Sequence, residues 1–125
     1  MAVQGRAVMD AEYVGETYTF TVAGQTFEAV PFLHLGERSV SGKMARSRVA
    51  VSSEQIGEED IQLFMLHQLE IPAALRGKVT FVFVNCHIGD NRTVVTQRWR
   101  GGYWQLSCVA DHELWSEELR IVRRK

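Results

Sequence analysis

Cysteine is scarce in this chain: Cys86 and Cys108 are the only two among 125 residues. Two cysteines do not make the disulfide framework of a small secreted domain. Neither charge sign is in excess, with 14 Lys and Arg against 15 Asp and Glu and a formal net charge of -1. That balance argues against a generally basic nucleic-acid binder and against an acidic disordered chain. No apolar run approaches the roughly 18 residues that a membrane span needs. Met1 to Asp10 lacks the long apolar stretch of a secretory signal. There is no Cys-x-x-Cys pair, no nucleophile elbow and no Walker-type glycine loop. What is present is a chain 46% hydrophobic, enough for one domain with one core. It reads as a soluble, cytoplasmic domain with no membrane segment.

Along the chain, residues 1 to 16 show no sustained period and read as an N-terminal arm; 17 to 125 read as a single α+β domain. From Thr17, aromatic and β-branched residues alternate with threonine, the pattern of a half-buried strand. A hairpin over about 17 to 23 and 26 to 32 follows. Its turn is either Gly24-Gln25, setting Val22 opposite Phe27, or Ala23-Gly24, setting Phe20 opposite Phe27. Ser39 or Ser41 can cap a short helix running to Arg48. The acids Glu58, Glu59 and Asp60 suit a helix N-terminus, and 58 to 69 reads as the main helix. Ile61, Phe64, Met65 and Leu69 form its apolar arc, with Asp60, Glu59, His67 and Glu70 opposite. Gln68 falls inside the apolar arc, where its amide must find hydrogen-bond partners, in the backbone or in a loop such as 36 to 42.

The last third is β-rich. Val79 to Val84 reads as a strand covered on both faces. Asp90-Asn91 suits a turn. Thr93 to Arg100 and Tyr103 to Ala110 flank Gly101-Gly102, a two-residue hairpin signal. Pairing Arg100 with Tyr103 sets Trp99 opposite Trp104 and Val95 opposite Cys108. A slip of one residue would mix the apolar and polar faces, so this register is well specified. Residues 112 to 119 read as a turn or short helix around Trp115, and Arg123-Arg124-Lys125 as a solvated tail. The expected fold is an antiparallel sheet of about five to six strands, with helix 58–69 packed on the face that carries Trp99 and Trp104.

Several short strings are familiar: Gly36-Glu37-Arg38-Ser39 with Ser41-Gly42-Lys43-Met44; Gly57-Glu58-Glu59-Asp60 with His67-Gln68 and Ile71-Pro72; and Trp99, Gly101, Trp104, Ala110 to Trp115 and Leu119 to Arg123. Over 32 to 125 the chain resembles a group of small bacterial proteins, some of them carried on mobile integron gene cassettes. The resemblance implies no activity, cofactor or catalytic residue, because none is established for the group. The chain departs from the group's aromatic strand after Trp104, where it has Leu106, Ser107 and Cys108.

Three functional readings follow. The first is a non-catalytic binding or adaptor module for a protein or a small apolar ligand, since no catalytic motif is assembled. If the helix covers its sheet face incompletely, Trp99, Trp104, Tyr103 and Trp115 are the candidate ligand-binding residues. The second is a small acid-base enzyme using His67 with Asp60 and Glu70, or His112 with Asp111; its bland counterpart is a solvated helix face or a charged turn. The third is nucleic-acid binding through Arg98, Arg100, Arg123 and Arg124, against which overall neutrality weighs. No metal site is expected, because Cys86 and His87 are neighbours on a strand and point to opposite faces. No cofactor is implied. Leu63 and Leu66 are candidate homodimer contacts.

Overall fold

The computed structural model describes residues 13–52, 55–90 and 92–125. Residues 1–12 of the expected arm and Asn91 of the expected turn lie outside them. Two hairpins anchor the sheet. Strands β1 (Tyr18–Val22) and β2 (Gln25–Val30) pair with Phe20 opposite Phe27. The turn is therefore Ala23-Gly24, and both residues have positive φ, 51° and 76°. That geometry matches the twist of the flanking strands, and it decides against the Gly24-Gln25 alternative. In the C-terminal third, β4 (Thr80–His87) precedes the hairpin of β5 (Thr93–Arg100) and β6 (Tyr103–Ala110). The second hairpin has the register read from the sequence, from Arg100 opposite Tyr103 to Val95 opposite Cys108.

The last strand, β8 (Leu119–Arg124), joins the two hairpins, giving the order β1-β2-β8-β4-β5-β6. It pairs antiparallel with β2 and parallel with β4. The fold is α+β as expected, but the sheet is mixed rather than purely antiparallel. The chain enters β8 from the same end as β4, after a long excursion through the second hairpin, and period-two patterning carries no information on that direction. Arg123 and Arg124 are part of this strand rather than a solvated tail.

Both faces of the sheet are covered. On one lies α2 (Glu58–Leu66), packing Ile61 and Phe64 onto Phe20, Phe27, Phe81, Phe83 and Trp104. On the other lie α1 (Gly42–Arg48) and a small sheet of β3 (Ser39–Ser41) with β7 (Leu114–Ser116). This second layer buries Trp115 with Phe32, Val82, Val84, Val94 and Ile121. Residues expected as a turn or short helix around Trp115 are thus a strand, because Val40 lies opposite Trp115 and completes a ladder. Helix α1 begins as expected, with the Ser41 hydroxyl accepting the Met44 N–H at 3.2 Å.

Helix α2 ends at Leu66, and Gln68–Glu70 continues as a 3-10 turn. The change of pitch at His67 moves the following residues off the expected arc, so Leu69 is 90% exposed instead of buried. Asp60, expected on the solvent side, is buried. Its carboxylate accepts the Gly57 N–H at 2.9 Å and pairs with Arg124 at 2.5 Å. Residues 13–16 are tied to the body: Tyr13 bridges His34, the Val14 N–H donates to the Leu33 carbonyl, and the Glu16 carbonyl accepts from Arg120.

A bidentate pair closes the loop before β3. Arg48 donates to both oxygens of Glu37, at 2.7 and 3.1 Å. These bonds, with the His34 N–H behind them, hold the Glu37 carboxyl down from 4.5 to about 2. A folded-state value below the unfolded one means the pair stabilises fully above the ordinary carboxylate range and fails as pH falls toward 2. Glu37→Gln is expected to lower the melting temperature at neutral pH, and the two melting curves are expected to converge on acidification. A constant gap down to pH about 2 would contradict this linkage.

Candidate functional site

The residues expected to gather into sites are mostly dispersed. Trp104 is fully buried under α2; its ring stacks on Phe81 at 5.0 Å and meets Trp99 edge-on at 5.9 Å. Trp115 is fully buried in the opposite layer. Tyr103 stands 54% exposed beside the hairpin turn. The structure therefore does not bring these four rings around one hollow. A cleft of about 320 Å³ touches Trp99, but Lys78, Arg98, Arg100 and Glu118 line it too, so it is charged rather than apolar. A larger cleft, about 570 Å³, lies elsewhere and includes Arg48, Arg123 and Glu28. Its two arginines are already paired, with Glu37 and Glu28 respectively.

The acid-base group is likewise divided. His67 Nδ1 lies 2.7 Å from Glu70, whose other oxygen accepts the Ala23 N–H at 2.8 Å. Those two contacts, the Ala23 N–H foremost, hold the Glu70 carboxyl below its ordinary value. The pair pins the 3-10 turn to the first hairpin and is more than a third exposed on both sides. Asp60 does not join it, because it lies at the opposite end of α2 against Arg124. Asp111 is buried and faces Arg46 at 3.6 Å, whereas His112 is exposed. Among the arginines, Arg98 and Arg100 are exposed on β5. Arg123 pairs with Glu28 and Arg124 with Asp60, so half of the expected basic set is neutralised.

Among the described residues, no group of three or more His, Cys, Asp or Glu is placed to hold a metal ion. Both cysteines are free; Cys86 is buried and Cys108 exposed. Burial pushes the Cys86 thiol up to about 11. In the native protein one thiol, Cys108, is expected to react with a thiol reagent at neutral pH, with Cys86 reacting only after denaturation. Two fast-reacting thiols would contradict the packing around Cys86.

What the structure does assemble lies on the rim of the sheet. Among the described residues, strand β6 is an edge, paired with β5 alone. In a hairpin with a two-residue loop, the residues flanking the loop exchange both backbone bonds. Tyr103, Gln105, Ser107 and Val109 therefore bond inward to β5, while Trp104, Leu106, Cys108 and Ala110 turn their N–H and C=O groups outward. Gln68 closes the first outward position. Its Oε1 accepts the Trp104 N–H at 2.9 Å, and its Nε2 donates to the Trp104 carbonyl at 3.1 Å. One side-chain amide thus stands in for a neighbouring strand, which satisfies the expectation that Gln68 must find partners. At the other end, Glu113 accepts the Ala110 N–H at 2.7 Å.

Between these plugs, Leu106 and Cys108 present an open edge. Both side chains are exposed, on the sheet face that Trp104 also uses. In the segment bearing Gln68, Leu66 and Leu69 are also exposed. Of the two expected homodimer residues, Leu66 is exposed and Leu63 is half-buried. Natural edge strands are blunted by charge, proline or a bulge, yet Tyr103–Ala110 has no charge, no proline and an unbroken register. The opposite edge differs. There β1 turns Thr19 and Thr21 outward, and both carry exposed hydroxyl side chains. Of the two edges of the six-stranded sheet, it is β6 at which open backbone groups and exposed apolar side chains coincide among the described residues.

Gln68→Ala is expected to cost about 1 kcal/mol, since water can replace the lost partners of a rim group. The amide exchange of Trp104 should then rise toward that of Leu106. An unchanged Trp104 rate would show that Gln68 does not guard the edge.

No protein-family model matches this chain, and no curated protein or solved structure matches it. Among the described residues, no helix is long and apolar enough to cross a membrane.

Proposed function

We propose that the chain is a non-catalytic, cytoplasmic protein-binding module that takes up an extended segment of polypeptide along the open edge of β6. The observation that carries this reading is the uncharged stretch between two plugs, where Leu106 and Cys108 offer backbone donors and acceptors beside exposed apolar side chains. Strand addition takes affinity from main-chain bonds and specificity from alternate side chains. Asp60 lies away from the His67–Glu70 pair, that pair is spent on the Ala23 N–H, and Asp111 faces Arg46 while His112 is exposed. This supports binding over acid-base chemistry, which needs its groups gathered around one reacting atom.

The test is a titration of dilute, isotopically labelled protein with an acetylated and amidated peptide of alternating threonine and valine. The expected result is amide shifts confined to Gln105 through Val109, lost in Leu106→Pro. Proline there removes an outward N–H and leaves the β5 bonds in place. Shifts elsewhere, or none at saturating peptide, would overturn the proposal.

A further inference from the structure

The open edge also carries information about its occupant. The plugged positions, Trp104 and Ala110, lie three residues before and three residues after Ser107. We infer that this edge pairs with the same edge of a second copy of the chain, antiparallel, about a two-fold axis at Ser107. The inference rests on the reading of β6 as a binding surface and names what it binds.

The geometry fits an isologous contact, in which one patch meets itself. With the axis at Ser107, Leu106 lies opposite the partner's Cys108, and Cys108 opposite the partner's Leu106. Both are outward-bonding positions, so each pair exchanges two backbone bonds and the central ladder holds four. Gln68 and Glu113 limit the ladder to 105–109 in each chain, and each chain leaves β6 at Ala110. A longer foreign strand would meet a plug at either end. Side chains agree with the backbone: Leu106 meets a thiol on the helix side, and Ser107 meets serine on the other. Because β6 carries no charge, two copies place no like charges side by side. The joined sheets would run continuously through both chains.

The test is sedimentation velocity across a wide concentration range, with a cross-linking variant. The native chain is expected to pass from the mass of one copy to that of two as concentration rises. Leu106→Pro and Leu106→Lys should remain single copies at concentrations where the native chain is paired, with unchanged circular dichroism. In a Cys108→Ser background, Ser107→Cys should form an interchain disulfide under mild oxidation. Residues opposite each other at a non-hydrogen-bonded position lie about 4.5 Å apart at Cα, within disulfide range. A chain that stays single throughout and does not cross-link overturns the inference. So does a dimer that survives both Leu106 variants and does not cross-link, since it would use another surface. If the chain stays single while the threonine-valine peptide still shifts 105–109, the binding edge stands and the second copy as its occupant fails.

Discussion

Gly42→Ala is expected to destabilise the protein by about 3 kcal/mol or more, the upper range for forcing atoms into a packed site. Helix propensity alone gives the opposite sign, because alanine is favoured over glycine by about 1 kcal/mol inside a helix. Packing decides. A Cβ built on Gly42 would lie 2.5 Å from Trp115 Cζ2 and 2.7 Å from the Asp111 Cα. The indole is fully buried, its N–H donates to the Ala110 carbonyl at 3.0 Å, and Phe32 meets it edge-on, so it has no room to withdraw. The backbone is fixed as well: the Gly42 N–H donates to the Glu113 carbonyl and the Lys43 N–H to the Asp111 carbonyl. Ser41 to Met44 and Ala110 to Trp115 thus meet where Gly42 lies against Trp115 and the Asp111 backbone. Denaturant unfolding measures the effect; a variant as stable as the native chain would show that the small sheet and α1 dock more loosely than described.

Phe64→Ala should cost about 3–5 kcal/mol, the range for truncating a buried aromatic ring. Phe64 is fully buried at the centre of four phenylalanines, with ring centroids 5.0 Å from Phe27, 5.4 Å from Phe83, 5.6 Å from Phe81 and 5.7 Å from Phe20. Three of the four contacts are close to perpendicular, the arrangement that the ring quadrupole favours. Because these rings come from β1, β2 and β4, the cavity would loosen α2 from both halves of the sheet. The melting temperature is expected to fall by on the order of 15 °C, measured by circular dichroism. Phe64→Leu, which refills part of the space, should recover a substantial share. A shift of only a few degrees for alanine would mean that α2 collapses into the gap and that the helix contributes little to the core.

The features legible in the sequence are those set by near neighbours along the chain. Gly101-Gly102 between alternating strands fixes a turn, and the segregation of Trp99 and Trp104 from Arg98 and Arg100 fixes its register. Ser41 ahead of a helical run is a cap by the same kind of local reasoning. Features that need a distant partner were not legible. Asp60 caps its own helix through the Gly57 N–H, but its other oxygen is paired by Arg124, 64 positions away. The three-residue strands β3 and β7 are too short to show a period and exist through each other. The parallel pairing of β8 with β4 follows from chain path rather than from side-chain alternation.

The binding edge shows the same division. The signal was in plain sight, since Tyr103–Ala110 contains no charged residue. Whether that strand is interior or edge depends on β8 entering between β2 and β4, which local patterning does not encode. Gln68 stood out as an amide on an apolar arc, but its partner, the Trp104 backbone, lies 36 residues away. Ion pairing between elements also lies beyond local patterning, which is why Arg123 and Arg124 read as free cations until Glu28 and Asp60 are seen opposite them.

Residue-resolved hydrogen exchange along β6 tests the open edge most directly. In dilute protein, the amides of Gln105, Ser107 and Val109 are expected to be protected by β5 and that of Trp104 by Gln68. Leu106 and Cys108 should exchange rapidly, and should become protected as strand-forming peptide or protein concentration is raised. Equal protection at all of these positions in the dilute chain would mean that the edge is already covered from within, and the proposed binding surface would not exist.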